Sequence, residues 1–123
     1  MSRILVIDDQ EIVRNLVIQM VEALGHKCEG APDCQTGVSI CRENPPALAF
    51  VDVFMPAKDG VECIQELRQV SPDTVLVAIT GGGAYGNVDI LKVAERLGAA
   101  RTLQKPFALG QLRDLLTELL PQS

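Results

Sequence analysis

Ile4-Leu5-Val6-Ile7-Asp8-Asp9 opens the chain with an apolar run that stops on two acids. Ala47-Leu48-Ala49-Phe50-Val51-Asp52 repeats the device. Thr74-Val75-Leu76-Val77-Ala78-Ile79-Thr80 repeats it again and stops on a hydroxyl. None of the three runs alternates between apolar and polar residues. Uninterrupted apolarity over so short a length marks strands buried on both faces, as in a parallel sheet. Two weaker candidates, Lys27-Cys28-Glu29-Gly30-Ala31 and Arg101-Thr102-Leu103-Gln104, mix charge with small residues, which suits sheet edges.

Helical periodicity fills the intervals. Ile12, Leu16, Met20 and Leu24 recur at helical spacing, and Gly25 follows as a stop. Asp33 can cap a helix running to Asn44, ahead of Pro45 and Pro46. Val61, Ile64 and Leu67 carry a third helix. Val88, Leu91, Ala94 and Leu97 carry a fourth, which starts near Asn87 and stops at Gly98. Leu109, Leu112, Leu116 and Leu119 carry a fifth, ending before Pro121. The pattern is a strand and a helix, repeated five times, over a single domain of residues 1–123. Right-handed crossovers turn that order into a doubly wound α/β fold. The most apolar strands belong in the middle and the mixed ones at the edges. The spatial order 2-1-3-4-5 satisfies this, which is the flavodoxin-like arrangement of a five-stranded parallel sheet.

Composition narrows the function. A formal net charge of −5 with no basic stripe argues against nucleic acid as a direct partner. It also argues against an anionic membrane surface. No apolar run reaches the ~20 residues of a spanning helix, and Asp8 and Asp9 interrupt the first run too early for a signal peptide. The expected location is therefore the cytoplasm. The four cysteines, Cys28, Cys34, Cys41 and Cys63, show no C-x-x-C spacing, and His26 is the only histidine. They read as small buried or half-buried thiols and not as a zinc site.

In this fold, ligands lie beyond the carboxyl ends of the strands, near the point where strand order reverses. Asp8 and Asp9 end the first strand, Asp52 the third, Thr80 the fourth and Lys105 the fifth. An aspartate after a strand is ordinarily a turn former or a helix cap, and Asp8 or Asp9 could cap the first helix. Converging on one rim, however, three carboxylates repel one another. A hard divalent cation with oxygen ligands gives that arrangement a purpose, and Mg²⁺ together with Lys105 balances the formal charge. Asp52 is then placed as a carboxylate nucleophile able to form an acyl phosphate. Lys105 offers a cationic donor to phosphoryl oxygens, and Thr80 offers a hydroxyl.

The stretches Ile7-Asp8-Asp9, Val51-Asp52-Val53-Phe54-Met55-Pro56-Ala57-Lys58-Asp59-Gly60, Ile79-Thr80-Gly81 and Lys105-Pro106-Phe107 carry a resemblance over the whole length. The sequence resembles the receiver domains of two-component response regulators. The resemblance implies Asp52 as phospho-acceptor and a Mg²⁺ cofactor, with Mn²⁺ as a substitute. It implies Asp9 and Asp52 as direct metal ligands, Asp8 as a ligand through water, and the backbone carbonyl of Phe54 as a further ligand. Thr80 and Lys105 match the family's switch hydroxyl and lysine, and the Lys105–Pro106 bond is expected to be cis. The implied partner is a sensor histidine kinase or a histidine phosphotransfer protein, followed by a downstream protein target. No turnover of an external substrate is expected, only self-phosphorylation and self-dephosphorylation, and no output domain is expected in this chain, as a stand-alone receiver or as the excised receiver of a longer regulator.

The sequence departs from the family where many members carry Tyr or Phe three residues before the lysine. Here that residue is Thr102, so a switch without an aromatic swing is expected, centred on residues 81–86 and the helix that follows. Tyr85 lies in that glycine-rich loop. Gly81-Gly82-Gly83-Ala84-Tyr85-Gly86 also matches the G-x-G-x-x-G pattern of dinucleotide binders. The acidic residue expected ~20 positions later is missing, which leaves the match as a supple loop. A third reading is an interaction module that works without phosphorylation.

Overall fold

The computed structural model describes residues 2–53, 60–81 and 88–120. The strands are β1 (Arg3–Ile7), β2 (Lys27–Ala31), β3 (Leu48–Asp52), β4 (Val75–Gly81) and β5 (Ala99–Lys105). The helices are α1 (Glu11–Ala23), α2 (Cys34–Glu43), α3 (Gly60–Val70), α4 (Val88–Leu97) and α5 (Leu109–Leu119). All strand pairings are parallel, and the spatial order is β2-β1-β3-β4-β5. The apolar strands are central and the mixed ones lie at the edges, as burial on both faces requires.

Two apolar layers sandwich the sheet. Side chains alternate along a strand with period two, so neighbouring residues enter opposite layers. Ile4, Val6, Leu48, Phe50, Val77, Ile79 and Leu103 meet Val17 and Val21 of α1 and Leu112 and Leu116 of α5. Leu5, Ile7, Ala49, Val51, Leu76 and Ala78 meet α2, α3 and α4. In the second layer α2 sits so close to β1 that a Cβ on Gly37 would overlap the Ile7 side chain. Gly25 ends α1 with φ +93°, a conformation that a side chain would strain.

The first helix differs from its expected stripe. Ile12 is 85% exposed and Leu16 55% exposed, whereas Val17 and Val21 are buried and Val13, Met20 and Leu24 pack at the margin. The apolar residues of α1 span more of its circumference than a buried stripe needs, and packing on the sheet buries Val17 and Val21 with Val13 partly buried beside them. Leu109, at the start of α5, is likewise 45% exposed. Neither acid caps α1. Gln10 stands at the N-cap without a side-chain hydrogen bond. Asp33 does cap α2, accepting from the Thr36 amide at 2.8 Å, and that bond holds its carboxyl below the usual range.

The cysteine reading needs the largest correction. Cys34 and Cys63 form a disulfide between the first turns of α2 and α3, and Cys28 and Cys41 are free. The partners are 29 residues apart, and only the packing of α2 against α3 brings them together.

Candidate functional site

Strand register builds the site. Ile7 pairs with Val51, so Asp8 and Asp52 leave β1 and β3 at the same level. Asp52 pairs with Ile79, which sets Thr80 one residue beyond it. Thr80 pairs with Gln104 and Gly81 with Lys105, so β5 delivers its lysine to the same rim. Alternation then chooses faces. Asp8 follows Ile4 and Val6, Asp52 follows Leu48 and Phe50, and Lys105 follows Leu103, all positions facing α1 and α5. Thr80 follows Leu76 and Ala78, which face the other layer.

Asp8, Asp52 and Thr80 are buried, at 1%, 4% and 2% exposure, while Asp9 is exposed. The Lys105 ammonium donates to Asp8 Oδ2 at 2.9 Å and to Asp52 Oδ2 at 3.2 Å. Burial alone would lower the pKa of Lys105. The hydrogen bond to Asp8 and the charges of Asp52 and Asp8 more than offset burial and raise it. The lysine therefore stays cationic where isolated carboxylates would be costly to bury. Asp8 Oδ1 accepts from the Gln10 amide at 2.9 Å, which turns the chain from β1 into α1. The Lys105–Pro106 bond is cis.

Carboxylate oxygens of Asp8, Asp9 and Asp52 lie within 4.8 Å of one another. All three donors are hard oxygens, the set that Mg²⁺ and Mn²⁺ prefer. The donor chemistry and spacing therefore fit the expected cation. Lys105 bonds to two of the three carboxylates, Asp8 and Asp52. The carbonyl assigned to Phe54 lies outside the described residues, as do Tyr85 and the rest of the glycine-rich loop beyond Gly81. Asp8, Asp9, Asp52 and Lys105 come together at the strand ends, and Thr80 follows Ile79, the β4 partner of Asp52.

One contributor had no signal in the sequence. Arg14 Nη1 donates to the backbone carbonyl of Asp8 at 2.9 Å, and its stem runs beside Gly30, where a Cβ would meet Arg14 Cδ at 3.0 Å. An arginine one turn into a helix reads as a solvated residue until the end of β2 is seen beneath it.

Residues 4–117 match the response regulator receiver domain. The chain belongs to that family. It is 27% identical to sporulation initiation phosphotransferase F of Bacillus subtilis over 98% of this receiver and 94% of that protein. It is 26% identical to the chemotaxis protein CheY of Halobacterium salinarum over 97% of each. The crystal structure of the receiver domain of NtrX from Brucella abortus superposes with a TM-score of 0.89 at 29% identity, over 98% of this receiver and 99% of that chain.

Proposed function

We propose that this receiver accepts a phosphoryl group on Asp52 from a phosphohistidine of a sensor kinase or phosphotransfer protein, and that acceptance changes its affinity for a downstream protein. The observation that carries the reading is a buried aspartate at a strand end, bonded to a lysine and flanked by two more carboxylates. The relative named a phosphotransferase supports it.

In this reading an Asp52 oxygen attacks phosphorus as the phosphorus–nitrogen bond of the donor histidine breaks, and the imidazole leaves with a proton. Asp9, Asp52 and the Phe54 carbonyl would hold Mg²⁺ directly, and Asp8 would hold it through water. When bound, Mg²⁺ supplies positive charge that lets carboxylate and phosphoryl oxygens approach. Lys105, already directed at Asp52, transfers one of its hydrogen bonds to the arriving phosphoryl oxygens. Thr80, buried beside this rim, offers its hydroxyl to another. The exposed Asp9 side leaves an approach from solvent for the donor.

Engagement of Thr80 draws residues 81–86 towards the site and biases α4, with Thr102 in place of a swinging ring. The chain performs no other turnover and works in the cytoplasm. Among the described residues no helix is long and apolar enough to cross a membrane, which is compatible with that location.

Incubation with acetyl phosphate and Mg²⁺, followed by intact-mass measurement, tests the acceptor. One acid-labile phosphoryl group is expected on the wild type and none on Asp52→Asn. Uptake by the Asn variant at the normal rate refutes the assignment. NMR spectra with beryllofluoride test the switch. Shifts confined to residues around the mimic, with 81–97 unchanged, reduce the protein to a phosphate sink.

A further inference from the structure

Cys34 and Cys63 sit in the first turns of α2 and α3 and are joined with a Cα–Cα separation of 5.7 Å. Backbones at that separation take or release a disulfide without rearranging. We propose that the pair is a reversible thiol–disulfide exchange site that controls how readily Asp52 accepts a phosphoryl group, an inference that rests on the acceptor role assigned above.

The placement of the bridge gives the coupling. The bond closes a ring of chain from residue 34 to residue 63 that contains α2, β3 and Asp52 itself. Asp52 is held within the sheet by β4, and Val53 donates its amide to the Ile79 carbonyl at 2.9 Å. Cys63 lies in the first turn of α3, on the far side of residues 54–59. With the bridge formed, α3 is tied to α2 while Asp52, inside the same ring, is held by β4. A phosphoryl group adds bulk and charge at Asp52, within that closed ring. Tethering favours the arrangement without phosphate, and reduction releases it. A two-state element shifts only by such a difference between its states.

The surroundings give selectivity. Burial, then Glu22 and Glu29, push the Cys28 thiol up to about 12. Burial pushes Cys41 up to about 11. Both stay protonated and poorly reactive. Cys34 is buried, but Pro32, Asp33, Gln35 and Thr36 around it are exposed, so fraying of one helical turn brings its sulfur to solvent. In a reducing compartment a bridge of this kind is transient and serves sensing.

The exchange balances with a low-molecular-weight disulfide as oxidant. One cysteine thiolate attacks the oxidant and expels a thiol, forming a mixed disulfide. The second cysteine displaces the remaining thiol and closes the bridge. Two electrons pass to the oxidant, whose two sulfurs leave carrying the two protons. A dithiol drives the reverse.

The test uses the full chain equilibrated with glutathione disulfide or with dithiothreitol and then freed of reagent. Alkylation and intact mass should count two free thiols in the first form and four in the second, matching the free pair and the complete set. Acetyl phosphate with Mg²⁺ should phosphorylate the bridged form roughly fivefold or more slowly. Cys34→Ala and Cys63→Ala should show one rate under both conditions, while Cys41→Ala keeps the difference. The wild-type comparison stands even if a variant misfolds. Four alkylatable thiols after oxidant, equal rates, or a faster bridged form overturn the proposal. If neither form is phosphorylated, the acceptor reading falls and the coupling with it, while the thiol count still reports whether the bridge forms.

Discussion

Leu48, Ala49, Phe50 and Val51 are fully buried among carbon atoms, and the next residue on the same strand is an equally inaccessible carboxylate. The body of β3 is held by burial of apolar area, which is favourable wherever it occurs. Its last residue is a charge that Lys105 meets at 3.2 Å. Asp8 repeats the contrast at the end of β1, on the same ammonium. Packing at the strand centres thus provides stability, and part of that stability supports a rim of like charges at the strand ends. A charged rim of this kind is a functional arrangement on a structural one, so damage to the two regions should separate cleanly.

The largest effect belongs to the rim. Asp52→Asn should abolish phosphorylation by acetyl phosphate, since an amide is a poor nucleophile, while leaving the urea midpoint unchanged or raised because one of three crowded carboxylates is gone. A lowered midpoint would show that Asp52 supports the fold and would break the contrast. Phe50→Ala should do the reverse. Truncating a fully buried aromatic costs about 3–5 kcal/mol, read by denaturant unfolding, yet the folded fraction should still be phosphorylated.

Metal should act on the rim alone. Mg²⁺ at a hundredfold excess over its dissociation constant should stabilise the protein by about 2.7 kcal/mol, and a chelator should remove the gain. Asp9→Ala should reduce that gain without lowering the metal-free midpoint, because Asp9 is exposed and its removal relieves the crowding of carboxylates.

A smaller effect follows from Lys105, whose pKa is raised in the folded state. Its contribution is fully present below the ordinary lysine value and is lost as pH rises through the folded value. Alkaline unfolding of the wild type should therefore carry a component above about pH 10.5 that Lys105→Met lacks. The smallest effect lies away from both regions. Asp33→Ala removes the cap of α2 and should lower stability by about 1 kcal/mol without changing phosphorylation in reduced protein.

The legibility of the two regions also differs. The strands were readable because continuous apolar runs of this length have few alternatives. The rim was readable because strand ends in a parallel sheet converge, and five polar residues at four such ends are hard to explain otherwise. The choice between helix faces was not readable. Ile12 and Leu16 of α1 have the spacing of a core stripe, and so do Val13, Val17 and Val21, and only the seat of the helix on the sheet decides. Arg14 escaped for a related reason, because its partner is a backbone carbonyl, which every residue has.

By itself the sequence determined the order of the elements, the central strands and the residue types at each strand end, because hydrophobic periodicity and chain polarity are local properties. Tertiary structure alone decided that Asp8, Asp52 and Lys105 share one face while Thr80 follows the other, since that depends on register between strands. It alone joined Cys34 to Cys63 across 29 residues. A disulfide requires two sulfurs to meet in space, and nothing in their spacing along the chain records that α2 and α3 pack side by side.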